Sequence, residues 1–210
     1  DALGAVLYQR RTRERYDRQA STFHVAPKLT WTLGERDEVS WQSLLQYRKE
    51  AWTRDRNEAV REGGPSEYPR NRWINDARTW TAKSDGQWKR RIGDDDTLEM
   101  KLGVMHFSRD IDFAFLGFAH AGYFALDRSV RTQATHTSYS STGKYISGVS
   151  ERHDLAFGWD GGYTERNVHR VHRDQSADGH ALGLIDDDDQ ADIRRLALYA
   201  QDQWRTSPRL

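Results

Sequence analysis

The side chains that could bind a metal ion are concentrated in one polar stretch, residues 169–192. His169 and His172 stand three residues apart in "NVHRVHRD". On a helix that spacing would let both imidazoles share a metal ion, but in a loop it fixes no geometry. The acidic run at 186–189 could attract divalent cations. Because the stretch is polar, contains glycine and has no periodicity, we expect a solvated loop here and no metal site.

No arrangement of residues indicates catalysis. Ser, His and Asp are present, but the chain has neither a G-x-S-x-G nucleophile elbow nor an H-E-x-x-H motif. The chain has no Cys, which excludes disulfides and thiolate metal sites. Its 32 basic and 32 acidic residues cancel, so bulk charge gives no reason to expect nucleic-acid binding. We therefore expect a protein that is not an enzyme, uses no cofactor and binds no nucleic acid.

Short clusters of turn-forming residues divide the chain at 34–38, 93–96, 150–153 and 206–208. The residues that flank the turns alternate between apolar and polar. The clearest apolar positions are Leu29, Trp31, Leu33, Val39, Trp41, Leu45, Tyr47, Leu98, Met100, Leu102, Val104, Leu155, Phe157, Trp159 and Tyr163. Such alternation predicts strands with one apolar and one polar face. Glu99 and Lys101, for example, should lie on the face of the sheet opposite to Leu102.

Three longer stretches separate these turns, at 54–78, 109–129 and 169–192. The first and third are polar and aperiodic, whereas the middle one is rich in apolar residues. We predict that all three are long loops at the end of the strands opposite to the short turns. The fold class is then all-β, an antiparallel meander of about seven to eight long strands, in which residues 1–210 are part of a single domain.

Two folds accommodate such a sheet. A soluble β-sandwich would bury the apolar face between two sheets and uses strands of about five to six residues. A transmembrane β-barrel turns the apolar face to lipid, with segments of about ten residues, short periplasmic turns and long outer loops. The strands here are long and the loop lengths alternate, which favours the barrel. No apolar run approaches the roughly 18 residues that a membrane-spanning helix needs.

The placement of tryptophan also favours the barrel. Transmembrane barrels carry girdles of aromatic residues where the membrane meets water. Five of the eight Trp residues lie beside the short turns. We expect these five to form a periplasmic aromatic girdle: Trp31, Trp41, Trp88, Trp159 and Trp204.

The end of the chain, "LALYAQDQWRTSPRL" (196–210), resembles the TonB-dependent outer-membrane receptors. The matching residues are Tyr199, Gln201, Asp202, Trp204, Ser207, Pro208 and Leu210. The segments at 26–47 and 153–166 also resemble barrel hairpins of that family. The family's plug domain, its contact segment for the TonB complex and its final strand have no counterpart here. The resemblance therefore implies an incomplete segment of a 22-stranded transmembrane β-barrel.

The resemblance further implies a ligand. Receptors of this family capture metal chelates with aromatic and basic residues on outer loops and on the plug. The best candidates are in the apolar stretch at 109–129 and just beyond it. They are Phe113, Phe115, Phe118, Tyr123, Phe124, Arg128 and Arg131. The two arginines could pair with an anionic chelate.

The expected function is that of a barrel segment in an outer-membrane transporter of a Gram-negative bacterium. Its partners would be a ferric siderophore or similar chelate, membrane lipid and lipopolysaccharide, and the TonB complex through the missing plug region. A passive porin or small structural barrel is one alternative, and a soluble β-sandwich binding module is another. We expect an open sheet whose first and last strands do not pair, and a chain that aggregates when expressed alone.

Overall fold

The fold is one antiparallel sheet of eight strands. It was obtained as a computed structural model, which describes residues 9–64, 66–93, 96–120, 122–150 and 152–204. The strands are β1 (Gln9–Val25), β2 (Lys28–Leu33), β3 (Asp37–Glu62), β4 (Arg70–Ile92), β5 (Asp96–Phe118), β6 (Phe124–Ser150), β7 (His153–Ser176) and β8 (Ala181–Trp204). Within these ranges no helix is long and apolar enough to cross a membrane. The predicted all-β meander is confirmed.

The strands follow one another through the sheet in chain order. β1 and β2 both pair with β3, β1 along 45–62 and β2 along 37–42, so together they line one side of it. The chain passes from one to the other at Pro27, whose carbonyl accepts a hydrogen bond of 3.0 Å from the Ser43 amide. Over the described residues β1 and β8 do not pair with each other, and the sheet is open. That expectation is confirmed.

Two sets of connections define two ends of the sheet. At the near end, strands are joined between Leu33 and Asp37, between Ile92 and Asp96, and between Ser150 and His153. These joints coincide with three of the predicted turns, while the fourth, at 206–208, lies outside the described residues. At the far end the connections are 63–69, 119–123 and 177–180. Each of these far connections has a glycine at positive φ, Gly63, Gly122 and Gly179, where other residues would be strained.

The prediction of long loops is wrong in extent. Most of 54–78, 109–129 and 169–192 is strand, and β3 to β8 run for 23 to 27 residues each. Charged pairs across neighbouring strands accompany the regular pairing in these segments. Arg72 Nε lies 2.6 Å from Asp55 Oδ1, and Arg131 Nε lies 2.7 Å from Asp112 Oδ1. Opposite charges across strands support pairing but leave no apolar alternation in the sequence.

Residues that oppose each other across the ladder share a face of the sheet. Leu102 pairs with Gly86 and Ser141, and Lys101 pairs with Gln87 and Thr142. We call the two sides of the sheet the Leu102 face and the Lys101 face. Leu98, Met100 and Val104 lie with Leu102, and Glu99 lies with Lys101, as the alternation predicted.

The sheet has almost no hydrophobic core. Among the described residues the buried apolar side chains are Ala77, Leu126 and Ala156, and all three lie on the Lys101 face. Large apolar side chains stay exposed on the Leu102 face, with Leu102 itself 59% exposed and Leu198 77% exposed. No second sheet covers them within the described residues, so the two-layer packing of a β-sandwich is not what these strands form.

Candidate ligand-binding surface

A cluster of aromatic side chains occupies the far half of the Lys101 face. Strand register places it there: Trp52 pairs with Asn75, which pairs with Phe113, and Trp73 pairs with Phe115 in the adjoining row. Three strands, β3, β4 and β5, therefore contribute rings to one surface. We call Trp52, Tyr68, Trp73, Phe113 and Phe115 the aromatic cluster.

The rings of this cluster pack edge to face. The centroid of Trp73 lies 5.6 Å from that of Phe113 and 5.1 Å from that of Phe115. Phe113 also meets Trp52 at 6.5 Å, and Phe115 meets Tyr68 at 5.8 Å. Aromatic pairs at these distances and tilts attract each other beyond simple burial. The rings thus form a continuous surface across the three strands.

Asn71 links the Trp73 ring to the backbone of Tyr68 by two hydrogen bonds. The Trp73 indole Nε1 donates a hydrogen bond of 2.8 Å to Asn71 Oδ1. The Asn71 amide nitrogen donates one of 3.0 Å to the Tyr68 carbonyl. Tyr68 itself lies against Gly117, where an added Cβ would come within 2.6 Å of its ring. Only glycine leaves room for the ring at that position.

A charged group borders the aromatic cluster on β6 and β7. Arg128 continues the row of Trp73 and Phe115, and it opposes Asp174. Its guanidinium donates two hydrogen bonds to the Asp174 carboxylate, at 2.8 and 2.7 Å. His172 Nε2 lies 2.8 Å from the same carboxylate. Trp52, Tyr68, Trp73, Phe113 and Phe115 therefore adjoin a bidentate ion pair on one face.

The hydrogen bonds within this group shift the protonation of its members. Those from Arg128, with a smaller contribution from His172, lower the pKa of Asp174 to about 2. The hydrogen bond to Asp174 raises the pKa of Arg128. Next to them, the hydrogen bond from its hydroxyl to Glu67 raises the pKa of Tyr68. Arg128 and Asp174 thus both stay charged at neutral pH.

The structure divides the seven predicted ligand residues into three sets. Phe113, Phe115 and Arg128 lie together on the Lys101 face. Phe118 and Phe124 meet at the far end, 5.8 Å apart, with the Arg70 guanidinium 4.4 Å from the Phe118 centroid. Tyr123 is 75% exposed in the connection beside them. Arg131 lies on the opposite, Leu102 face and pairs with Asp112.

The sequence did not predict the other members of this surface, which are Trp52, Tyr68, Trp73, Asp174 and His172. Four of them lie in stretches that were predicted to be loops, so no register was assigned to them. A weak signal was present, because Trp52 and Trp73 interrupt charged segments with large aromatic residues. Their proximity to Phe113 depends on the pairing of β3, β4 and β5 and cannot be read from spacing within one strand.

The five residues predicted as a girdle all lie on the Leu102 face. Register places Trp31, Trp88 and Trp159 in one row across the sheet. Trp41 donates a hydrogen bond of 2.8 Å to Ser84 Oγ. Trp204 stacks on His153 with ring centroids 5.9 Å apart. Their role at a membrane boundary stays a prediction.

Two comparisons with known proteins found no match. No protein-family model matches this chain. No curated protein matches it either. The chemistry of the surface is therefore inferred from its own residues: aromatic faces for stacking and a guanidinium beside them for an anion.

Proposed function

We propose that the chain forms part of the wall of a transmembrane β-barrel in the outer membrane of a Gram-negative bacterium. The barrel is that of a TonB-dependent receptor, a 22-stranded wall around a plug domain, and it imports a ferric siderophore or similar chelate. The observation that carries this proposal is a reversal of polarity along both faces of the sheet. The resemblance at 196–210 supplies the family.

In the near half of the sheet the Leu102 face is apolar and the Lys101 face is polar. One row of the Leu102 face reads Trp31, Val39, Trp88, Met100, Gly143, Trp159, Leu198. The matching row of the Lys101 face contains Glu38, Lys89, Glu99 and Lys144. A strand that separates lipid from water carries this alternation. In the membrane, lipid would cover the apolar side chains that the sheet leaves exposed on the Leu102 face.

In the far half the two faces exchange character. On the Leu102 face, Trp80 is followed towards the far end by Arg78 and Asp76, and Val104 is followed by His106, Ser108, Asp110 and Asp112. On the Lys101 face the polar residues give way to the aromatic cluster. A sheet that leaves the membrane needs charges on its outer side and is free to place apolar groups inside. In a sandwich the same face would stay apolar along the whole strand.

The boundary of the apolar region crosses the strands obliquely. On β3 and β4 it is marked by Tyr47 and Trp80, a pair whose row reaches Thr135 on β6. On β6 and β7 it is marked by Tyr139 and Tyr163, also a pair. Tyr139 is four residues nearer the near end than Thr135. A boundary that shifts along the strands from one side of the sheet to the other is expected of strands that are tilted in a membrane, as barrel strands are.

The strands are longer than a membrane requires. A tilted transmembrane strand needs about 10 residues, whereas β4 has 23. About ten residues of β4 lie beyond Trp80, which is about 30 Å of extended chain. The aromatic cluster then lies above the outer membrane surface and faces the barrel interior. That position suits the capture of a ligand before it passes the plug.

A transport experiment separates this proposal from a passive porin. Cells that carry the gene as their only receptor should take up a radiolabelled ferric catecholate or ferric hydroxamate, and an uncoupler or deletion of the TonB protein should abolish uptake. Trp73→Ala should weaken uptake, while Trp80→Ala, a Trp of the other face, should not. Uptake that continues without energy indicates a porin. Recovery of the protein in the soluble fraction contradicts any membrane barrel.

A further inference from the structure

A second group of ligating side chains lies on the Leu102 face at the open edge of the sheet. His169 of β7 opposes Asp188 of β8 in the ladder, and Asp186 follows two residues along on the same face. The ligand atoms of these three side chains all lie within 4.8 Å of one another. Asp187 and Asp189 point to the Lys101 face. The alternation of β8 thus sends two of the four carboxylates to each face, and those of Asp186 and Asp188 lie beside the His169 imidazole.

The distances suit a small divalent cation. His169 Nδ1 lies 2.8 Å from Asp188 Oδ1 and 3.6 Å from Asp186 Oδ1. Zinc–nitrogen and zinc–oxygen bonds of about 2.1 Å in a tetrahedral arrangement place the ligand atoms about 3.4 Å apart. The two observed separations lie on either side of that value.

The charge of the group also favours a cation. Within the described part of the chain, the Asp186 and Asp188 carboxylates contact the His169 imidazole and no Lys or Arg. Two like charges therefore share one imidazole. The contrast is Asp174, whose carboxylate also meets a histidine at 2.8 Å but is already held by Arg128.

We propose that His169, Asp186 and Asp188 bind a borderline divalent cation of the Zn²⁺ or Ni²⁺ type. One imidazole nitrogen and two carboxylate oxygens select such a cation over Mg²⁺ and Ca²⁺, which prefer oxygen ligands alone. Three protein ligands leave a fourth position open to water or another molecule. Asp188 is 83% exposed, so that position is accessible from solvent. The site is separate from the aromatic cluster and does not depend on the proposed transport function.

Calorimetric titration with Zn²⁺ of the purified full chain, kept dispersed in detergent, tests the site. We expect one Zn²⁺ per chain, and His169→Ala or Asp188→Asn should weaken its binding at least about tenfold. His172→Ala is the matched control, because it removes the histidine of the pair on the other face, and should change the affinity less than about twofold. Far-UV circular dichroism confirms that each variant keeps its strands, and Asp188→Asn preserves side-chain size in case His169→Ala does not fold.

Cobalt provides a second readout. Co²⁺ bound by His169 should show visible d–d absorption that the His169→Ala variant loses and Zn²⁺ displaces. The proposal is overturned if folded wild-type chain binds no stoichiometric Zn²⁺, or if His172→Ala weakens binding as much as His169→Ala. Tight Ca²⁺ binding that His169→Ala leaves unchanged would also overturn it, because the site would then consist of carboxylates alone.

Discussion

Arg128 and Asp174 face each other across β6 and β7, joined by two hydrogen bonds of 2.8 and 2.7 Å in the fork geometry of a bidentate pair. Tyr68 and Phe115 of the aromatic cluster lie next to this pair. Asp174 is half-buried, with 19% of its side chain exposed, while Arg128 keeps 41% of its side chain exposed. A charged donor that is fixed by one carboxylate and still partly open can engage an anionic ligand without moving.

The first prediction concerns the acid stability of this pair. Hydrogen bonding lowers the pKa of Asp174 to about 2, against about 3.9 in an unfolded chain. The pair therefore stabilises the fold fully above pH 4, and this stabilisation is lost as the pH falls through 2. Arg128→Ala should lower the free energy of unfolding at pH 6 by about 1 kcal/mol, allowing for solvent screening, and by almost nothing at pH 2. Denaturant unfolding at both pH values measures the difference.

The control for that experiment is Arg131→Ala. Arg131 also pairs with an aspartate at 2.7 Å, but on the other face and with 69% of its side chain exposed. Its removal should lower the free energy of unfolding at pH 6 much less than the removal of Arg128 does, because solvent screens an exposed pair. An equal loss of unfolding free energy for the two variants would show that the Arg128–Asp174 pair stabilises the fold no more than an exposed ion pair does.

The second prediction concerns the polarity of the two faces in a membrane. Leu102→Arg, near mid-membrane on the lipid side, should lower the stability of the inserted barrel by about 2–4 kcal/mol. Lys101→Leu, its neighbour on the water side, should cost much less. Urea unfolding of the protein in lipid vesicles compares the two, and similar costs would refute the assignment of lipid to the Leu102 face.

The third prediction concerns membrane topology. The far connections at 63–69, 119–123 and 177–180 should lie outside the cell, and the near turns should lie in the periplasm. Single cysteines introduced at Gly64 and His120 should react with a membrane-impermeant maleimide in intact cells, and one at Arg36 should react only after lysis. The chain has no cysteine of its own, so any labelling of the protein comes from the introduced residue. The reverse pattern of labelling would invert the topology.

The fourth prediction concerns a glycine under a tryptophan. An added Cβ at Gly143 would come within 2.0 Å of the Trp159 ring, and that ring donates a hydrogen bond of 3.1 Å to Ser141 Oγ. Gly143→Ala should therefore displace the ring and cost about 1–3 kcal/mol. Gly86→Ala, on the same face with no atom within 4 Å of its Cβ, should cost nothing. Unfolding and tryptophan fluorescence report both effects, and a stable Gly143→Ala variant with unchanged fluorescence would be the contrary result.

The near half of the sheet could be predicted from the sequence because each face has one character there, apolar on the Leu102 face and polar on the Lys101 face. Leu98, Met100, Leu102 and Val104 alternate with polar residues, and the turn residues mark where strands end. The far half could not be predicted in the same way. Its strands have charges on one face and mixed polar and aromatic residues on the other, so their sequence shows no period of two.

The candidate surface was predicted only in the part that comes from one segment of the chain. Phe113, Phe115 and Arg128 belong to one short segment with an evident aromatic and basic character. Trp52 and Trp73 join them through the register of β3 and β4, which depends on pairing across the whole sheet. The His169 group is similar, because its two carboxylates and its imidazole come from different strands.

The most direct test of the proposed barrel wall is spin-label accessibility at two adjacent residues. Nitroxide labels are attached to Leu102→Cys and Lys101→Cys in the membrane-inserted protein, and collisions with oxygen and with an aqueous nickel chelate are measured. A barrel wall predicts that the label at 102 collides mainly with oxygen, which concentrates in lipid, and that the label at 101 collides mainly with the nickel chelate. Equal access of both reagents to both labels, or the reverse preference, would contradict it.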